Sequence, residues 1–304
     1  MSDTQEHVMD APIKVETPLQ RFVSDFADNK IAVLAFLVLM SIVFIAVFAP
    51  WISPTDPYDL SKVSIFNNNM PPGSESMDGI TYWLGTDDSG RDLVSAMIYG
   101  LRISLGVGVM SGVIALCMGS AIGLMAAYYG GRIDTLIMRI VDIQLSFPAI
   151  LVALILISVL GKGVDKIIVA LVLVQWAYYA RTVRGTALVE RNKEYMEAAT
   201  CLALTNNRIV FRHLLPNCLP PLIVVGTVQT AHAISLEATL SFLGVGLPIT
   251  EPSLGLLIAN GFNYMLSGHY WISFYPGIAL LITIVSINLV GDQLRDVLNP
   301  RLQK

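Results

Sequence analysis

Between Lys30 and Asp56 the chain carries no charged residue. A helix of roughly 20 apolar residues crosses a bilayer core, so residues 31–51 are long enough to span one. Backbone polar groups in lipid must be satisfied within their own segment, which makes that stretch a helix. The pattern recurs, and further spans are expected at 103–128, 136–160, 167–181 or slightly beyond, 218–245 and 270–290. The expected fold is therefore an all-α membrane protein with six transmembrane helices. Composition agrees: 54% of the 304 residues are apolar and 14% are charged, and mean hydropathy is +0.64, as in a polytopic membrane domain.

Several function classes drop out. The net charge of −4 offers no basic face for nucleic acid. Cys117, Cys201 and Cys218 are scattered and form neither a disulfide framework nor a metal pattern. Gly161-Lys162-Gly163 lacks the spacing of a P-loop. There is no nucleophile elbow or zinc-binding H-E-x-x-H. No enzymatic activity, cofactor or metal is expected. The ionisable residues in the spans form no Asp/Glu/His relay of the kind a proton-coupled carrier often uses.

In chain order, residues 1–16 are acidic and polar, without the apolar core of a cleaved signal peptide, and are expected to be a disordered tail. Thr17-Pro18 opens a short helix in which Leu19, Phe22, Val23 and Phe26 share one face. Residues 1–30 are thus assigned to a tail and an interfacial helix resting on membrane lipid, and 31–52 to the first span, with Trp51 as an interface anchor. Residues 53–101 form an extramembrane segment. In it, Leu84-Gly85-Thr86-Asp87-Asp88-Ser89-Gly90-Arg91-Asp92 lacks the alternating carboxylates of a calcium loop and reads as a structural turn into a helix. Span 2 holds Gly106, Gly108, Gly112, Gly119 and Gly123, which let helices approach closely. Arg139 and Asp142 can pair on one face of span 3, and Pro148 should kink it. Residues 247–269 read as a polar loop, with Trp271 anchoring span 6.

Residues 193–216 are a polar island crowded by Arg181, Arg184, Arg191, Lys193, Arg208 and Arg212. Residues 194–204 are rich in helix formers, Thr205-Asn206-Asn207 is a turn signal, and 208–215 can form a second helix closed by Pro216. Such a loop could simply join two spans. Two helices fit a docking element better.

Lys and Arg counts orient the chain. With the N-terminus inside, fourteen lie on the cytoplasmic side and five outside. Both termini and the island are expected in the cytoplasm. In span 5, His232 and Glu237 stand in an apolar run, where a mid-bilayer carboxylate costs roughly 2.5–3.5 kcal/mol. Glu237 either lines or gates a path or serves as a structural hydrogen-bond anchor, and His232 is a candidate for the same path.

Glu197-Ala198-Ala199, the small residue Ala203, Ile209 and Leu215-Pro216 resemble the EAA loop of ABC-importer permeases. The stretch 84–92 with Tyr99-Gly100-Leu101-Arg102-Ile103-Ser104-Leu105 is similar to a signature of the dipeptide, oligopeptide and nickel permeases. So are the runs Glu237-Ala238-Thr239-Leu240-Ser241-Phe242-Leu243-Gly244 and Tyr275-Pro276-Gly277 through Arg301-Leu302. The resemblance implies a type I, MetI-like permease core at 102–295, with a coupling loop at 185–216 and a tail at 296–304. It implies docking of Glu197, Ala198 and Ala199 on a cytoplasmic ATPase. It also implies a second homologous permease subunit, two ATPase subunits and an extracytoplasmic substrate-binding protein. Peptides are the expected cargo, with nickel or another small solute as alternatives. An autonomous secondary transporter or a scaffolding protein would lack use for such a loop. The family usually has Gly where Ala203 stands. Because Ala disfavours a left-handed turn, the helix break is expected later, near Asn206.

Overall fold

The computed structural model describes residues 17–58, 65–76, 79–248 and 250–298. The expected N-terminal tail at 1–16 and the end of the C-terminal tail, 299–304, lie outside the described residues.

Helix α1 (Pro18–Ala27) begins with a reciprocal cap. The Thr17 hydroxyl accepts from the Gln20 amide, and Gln20 Oε1 accepts from the Thr17 amide. Asn29 caps α2 (Lys30–Val47), which a short α3 (Ala49–Ile52) extends. The packing is inside-out relative to a water-soluble helix. Ala32, Ala35, Ala46 and Ala49 are buried, while Leu34, Leu37, Phe44 and Val47 point outward. Small residues bring helices together where lipid solvates large apolar side chains. Trp51 is exposed. Two hydrogen bonds tie this region to the chain's other end: Asn29 Nδ2 donates to Gln293 Oε1 (2.8 Å) and Gln293 Nε2 to the Asp25 carbonyl (3.1 Å).

Between α3 and the next long helix, the described residues form a cap containing a 3-10 turn (Ile65–Asn67) and a two-stranded antiparallel hairpin, β1 (Ser74–Glu75) with β2 (Thr81–Tyr82). The 84–92 stretch is the expected structural turn. Asp87 accepts from the amides of Ser89 and Arg91 (both 2.9 Å) and pairs with Arg91 Nε at 2.7 Å. Both partners of that ion pair are buried. Asp92 then caps α4 (Leu93–Tyr129) by accepting from the Ser95 amide. Trp271 corrects a sequence expectation: it is buried and its indole N–H reaches the Thr86 carbonyl (3.4 Å), so it fastens the cap.

Helix α4 has 37 residues, about 55 Å at 1.5 Å each, and rises from the cap through the whole bundle. Two glycine pairs set its neighbours. A Cβ on Gly119 or Gly123 would overlap the carbonyl oxygen of Trp176 or Ala180 in α7 (Val164–Arg191). One on Gly108 or Gly112 would press on Ile234 or Thr230 in α10 (Leu215–Phe242). The α4–α7 pairing is the most extensive helix contact.

Span 3 departs from expectation. It is two helices, α5 (Gly131–Ser146) and α6 (Ala149–Leu160), bent by 93°. Proline forces the preceding residue out of the α region. Phe147 is extended (φ −92°, ψ 142°) and Pro148 caps α6, so the helix stops and restarts rather than kinking. Among the described residues, five helices are long and apolar enough to cross a membrane, and the broken pair makes six if counted as one span. The expected Arg139–Asp142 pair is replaced by ties between helices: Asp142 bonds Arg181, and Asp134 takes a bidentate bond from Arg184 (2.5 and 2.6 Å).

The expected polar loop at 247–269 also contains a helix, α11 (Leu254–Tyr264), capped by Ser253 and followed by a 3-10 turn. Its glycines press on backbone: Gly255 on Ala238, Gly261 on Ile272 and Ser273. The last helix, α12 (Trp271–Leu298), packs on α11, α10 and α2.

Candidate functional site: the helical loop and the α10 face

The polar island folds as helix, turn, helix. Helix α8 (Glu194–Cys201) is followed by a turn and α9 (Asn206–Arg208). A π-helical segment (Ile209–Leu214) then merges into α10. Pro216 therefore does not close a helix. It sits in the first turn of α10, where its missing N–H is tolerated. The wider π turn precedes it, with the Leu215 amide bonded back to the Val210 carbonyl.

The helix break also differs from expectation. It falls at Ala203, not near Asn206. Ala203 has φ +50°. Its amide bonds the Thr200 carbonyl (2.9 Å), and the Leu204 amide bonds the Ala199 carbonyl (3.3 Å). These two bonds are the Schellman pair, with Ala203 in the left-handed position that usually holds Gly. Satisfying the last carbonyls of α8 outweighs the strain on an alanine.

The loop has two faces. Met196, Ala199, Ile209 and Leu214 are buried and join a cluster with Leu124, Val183, Ala187, Cys218 and Leu222. Glu197 and Ala198 face out, with Arg208 and Arg212. Leu215 is partly buried and Pro216 exposed. Of the three residues assigned to ATPase contact, Ala199 thus turns into its own subunit. Sequence reasoning missed Leu202 and Phe211, which are 73% and 64% exposed. The available signal was that both fall off the apolar register of 196, 199, 209 and 214.

Hydrogen bonds pin the loop to three spans. Tyr128 of α4 donates to Asn206 Oδ1 (2.7 Å), and Arg191 donates to the Ala127 carbonyl (3.0 Å). Glu190 of α7 accepts from Lys193 (2.7 Å) and Tyr195 (2.8 Å). Asn217 of α10 donates to the Tyr195 hydroxyl (3.2 Å). Burial and the Glu190 carboxylate push the Tyr195 hydroxyl up to about 12.

Beside it lies a cavity of about 1060 Å³ between α7, α10 and α12, with Thr182, Thr186, Asn217, Val224, Val228 and Arg295 in its lining. The α10 wall continues beyond the cavity. Val228, His232, Ser235, Thr239 and Phe242 recur at helical spacing, and all are exposed or half-buried. His232 is on this face. Glu237 is not: it has no exposed surface. It accepts from Ser104 of α4 and Ser241, both at 2.8 Å. Ser253, the cap of α11, adds a third hydroxyl.

A bundle of helices long and apolar enough to cross a membrane, with a helical element fixed at one end, is a polytopic membrane protein by architecture. Residues 119–304 match the family described as "Binding-protein-dependent transport system inner membrane component", and residues 17–72 match "N-terminal TM domain of oligopeptide transport permease C". A putative peptide transport system permease protein of Brucella suis is 42% identical over 270 residues, 89% of this chain and 88% of that one. The di/tripeptide transport system permease protein DppC of Pseudomonas aeruginosa is 36% identical over 294 residues, covering 97% and 96%. The oligopeptide transport system permease protein OppC of Bacillus subtilis is 37% identical over 279 residues, covering 92% and 88%. A chain of the MetNI methionine ABC transporter, in inward-facing conformations, shares the fold. Its TM-score is 0.55 at 22% identity, over 67% of this chain and 96% of that one. The chain belongs to the family of binding-protein-dependent transport system inner membrane components. It is a multi-pass permease subunit of the inner membrane, with a MetI-like core, and not a catalytic enzyme.

Proposed function

We propose that this chain is one permease subunit of an ATP-driven importer of di- or oligopeptides, with both termini and the helical loop in the cytoplasm. The observation that carries the reading is the pinned loop. It offers an outward surface of Glu197, Ala198, Leu202 and Phe211 and is hydrogen-bonded to α4, α7 and α10. A partner pulling on that surface would tilt the bundle as a rigid body, the motion that alternating access requires. Two cytoplasmic ATPase subunits would bind there. A second, homologous permease would complete the path, and an extracytoplasmic binding protein would deliver the peptide.

The path would run along the α10 face through Val228, His232, Ser235 and Thr239 and widen into the cavity at the loop end. Glu237 is assigned instead as the anchor joining α4, α10 and α11. The peptide cargo is carried over from the relatives.

The test is uptake of radiolabelled dialanine by cells that depend on this subunit. Glu197→Lys reverses charge on the docking surface. It should abolish uptake while the chain still inserts, and ATPase subunits should no longer co-purify with it. Normal ATP-driven uptake in that variant would refute the role of the loop.

A further inference from the structure

We propose that Phe242 and Phe262 form this subunit's half of an apolar gate at the outer end of the path, a reading that rests on the path assignment above. The α10 face ends at Phe242. There its ring meets Phe262 of α11 edge to face, with centroids 5.9 Å apart and planes at 75°. Both rings remain exposed in the subunit, and Leu243, Met265 and Leu266 extend the apolar surface around them. The face is therefore asymmetric. At the loop end it opens into a large, partly polar cavity. At the cap end it closes on aromatic and aliphatic side chains. A path for polar solutes must be shut on one side at any moment, and an apolar constriction shuts it by excluding water.

The gate has a firm seat on one side. Helix α11 is held by backbone packing at Gly255 and Gly261. The Ser273 hydroxyl donates to the Ile258 carbonyl (3.0 Å), and Ser253 reaches Glu237. Phe262 is thus fixed relative to the lower part of α10. Phe242, five residues beyond Glu237 and two before the left-handed Gly244 (φ +74°), stands where α10 ends. The buried Glu237 cluster acquires a purpose in this arrangement, because it sets the spacing between the two gate rings. Opposing apolar groups of the second permease would complete the closure.

The experiment uses the complete transporter in oriented membrane vesicles. Its background replaces Cys117, Cys201 and Cys218, and His232→Cys is added as a reporter. A membrane-impermeant thiol reagent is applied to either side without nucleotide. The reporter should react from the cytoplasmic side only. Phe262→Ala and, separately, Phe242→Ala should raise its reaction rate from the outer side. An aromatic pair of this kind shifts a two-state equilibrium by roughly two- to twelvefold, and the outer rate should rise within that range. Phe262→Leu, which keeps an apolar plug, should stay near the parent. Assembly of each variant is scored by recovery of the ATPase subunits, and the two alanine variants reach the same contact from different helices. An unchanged outer rate in both would overturn the gate and leave the path standing. A reporter that reacts from neither side would place the α10 face in lipid and remove the path and the gate together.

Discussion

Ala203 permits a test of the helical loop that depends on backbone physics alone. Its φ of +50° lies in the left-handed region, which costs a non-glycine residue about 1–2 kcal/mol. Ala203→Gly removes that strain. The side chain is exposed, so no packing is lost with the methyl group. The opposing term is the greater freedom of glycine in the unfolded chain, about 0.4–1 kcal/mol. The difference favours the variant by about 0.5–1 kcal/mol. Hydrogen exchange read by mass spectrometry on peptides from α8 is the matching assay, since local opening of that helix breaks the two Schellman bonds. Protection should increase roughly two- to fivefold. Unchanged or weaker protection would show that Ala203 is not held left-handed and that the break lies elsewhere. Ala203→Val, which makes the strain worse, should move protection the opposite way.

Other substitutions probe the cap, the bundle and the loop's bonds. Asp87→Ala removes the carboxylate that accepts from the Ser89 and Arg91 amides and from Arg91 Nε; the turn should loosen, limited proteolysis should then cut within 65–92, and an intact cap would refute the pairing. Gly123→Val puts a branched side chain against the Ala180 backbone, and overpacking of about 1–3 kcal/mol should lower the melting temperature of the detergent-solubilised protein more than Gly106→Val, where space is open. Tyr195 keeps its proton in the fold to about pH 12, whereas an ordinary tyrosine loses it near 10.0. The folded loop therefore loses stability as pH rises through that window. Exchange protection of α8 should fall there, and Tyr195→Phe should remove that fall.

The sequence was most informative where lipid was the solvent. Uncharged runs, the helix start at Thr17-Pro18, and glycines in span 2 report local physics: a helix in a bilayer must satisfy its own backbone, and close helix contact needs small residues. The two-helix loop was legible for the same reason, since a polar stretch between spans must lie in water and its helix formers are contiguous. Misreadings occurred where the outcome depended on distant partners. Asp142 chose Arg181 over Arg139 because α5 lies along α7, a placement invisible to spacing within one helix. Residues 254–264 became a helix because α10 and α12 offer it backbone to pack on. Ala203 was driven left-handed by the carbonyls that end α8 and by the burial of Met196, Ala199 and Ile209 on opposite sides of the turn. Glu237 and His232 show the division most clearly. Sequence could say only that two polar side chains entered one apolar helix. Five residues along a helix place them on opposite faces. Only the tertiary structure decided that one would be enclosed by three serines and the other left facing out, because it alone determines which face of α10 meets α4 and α11.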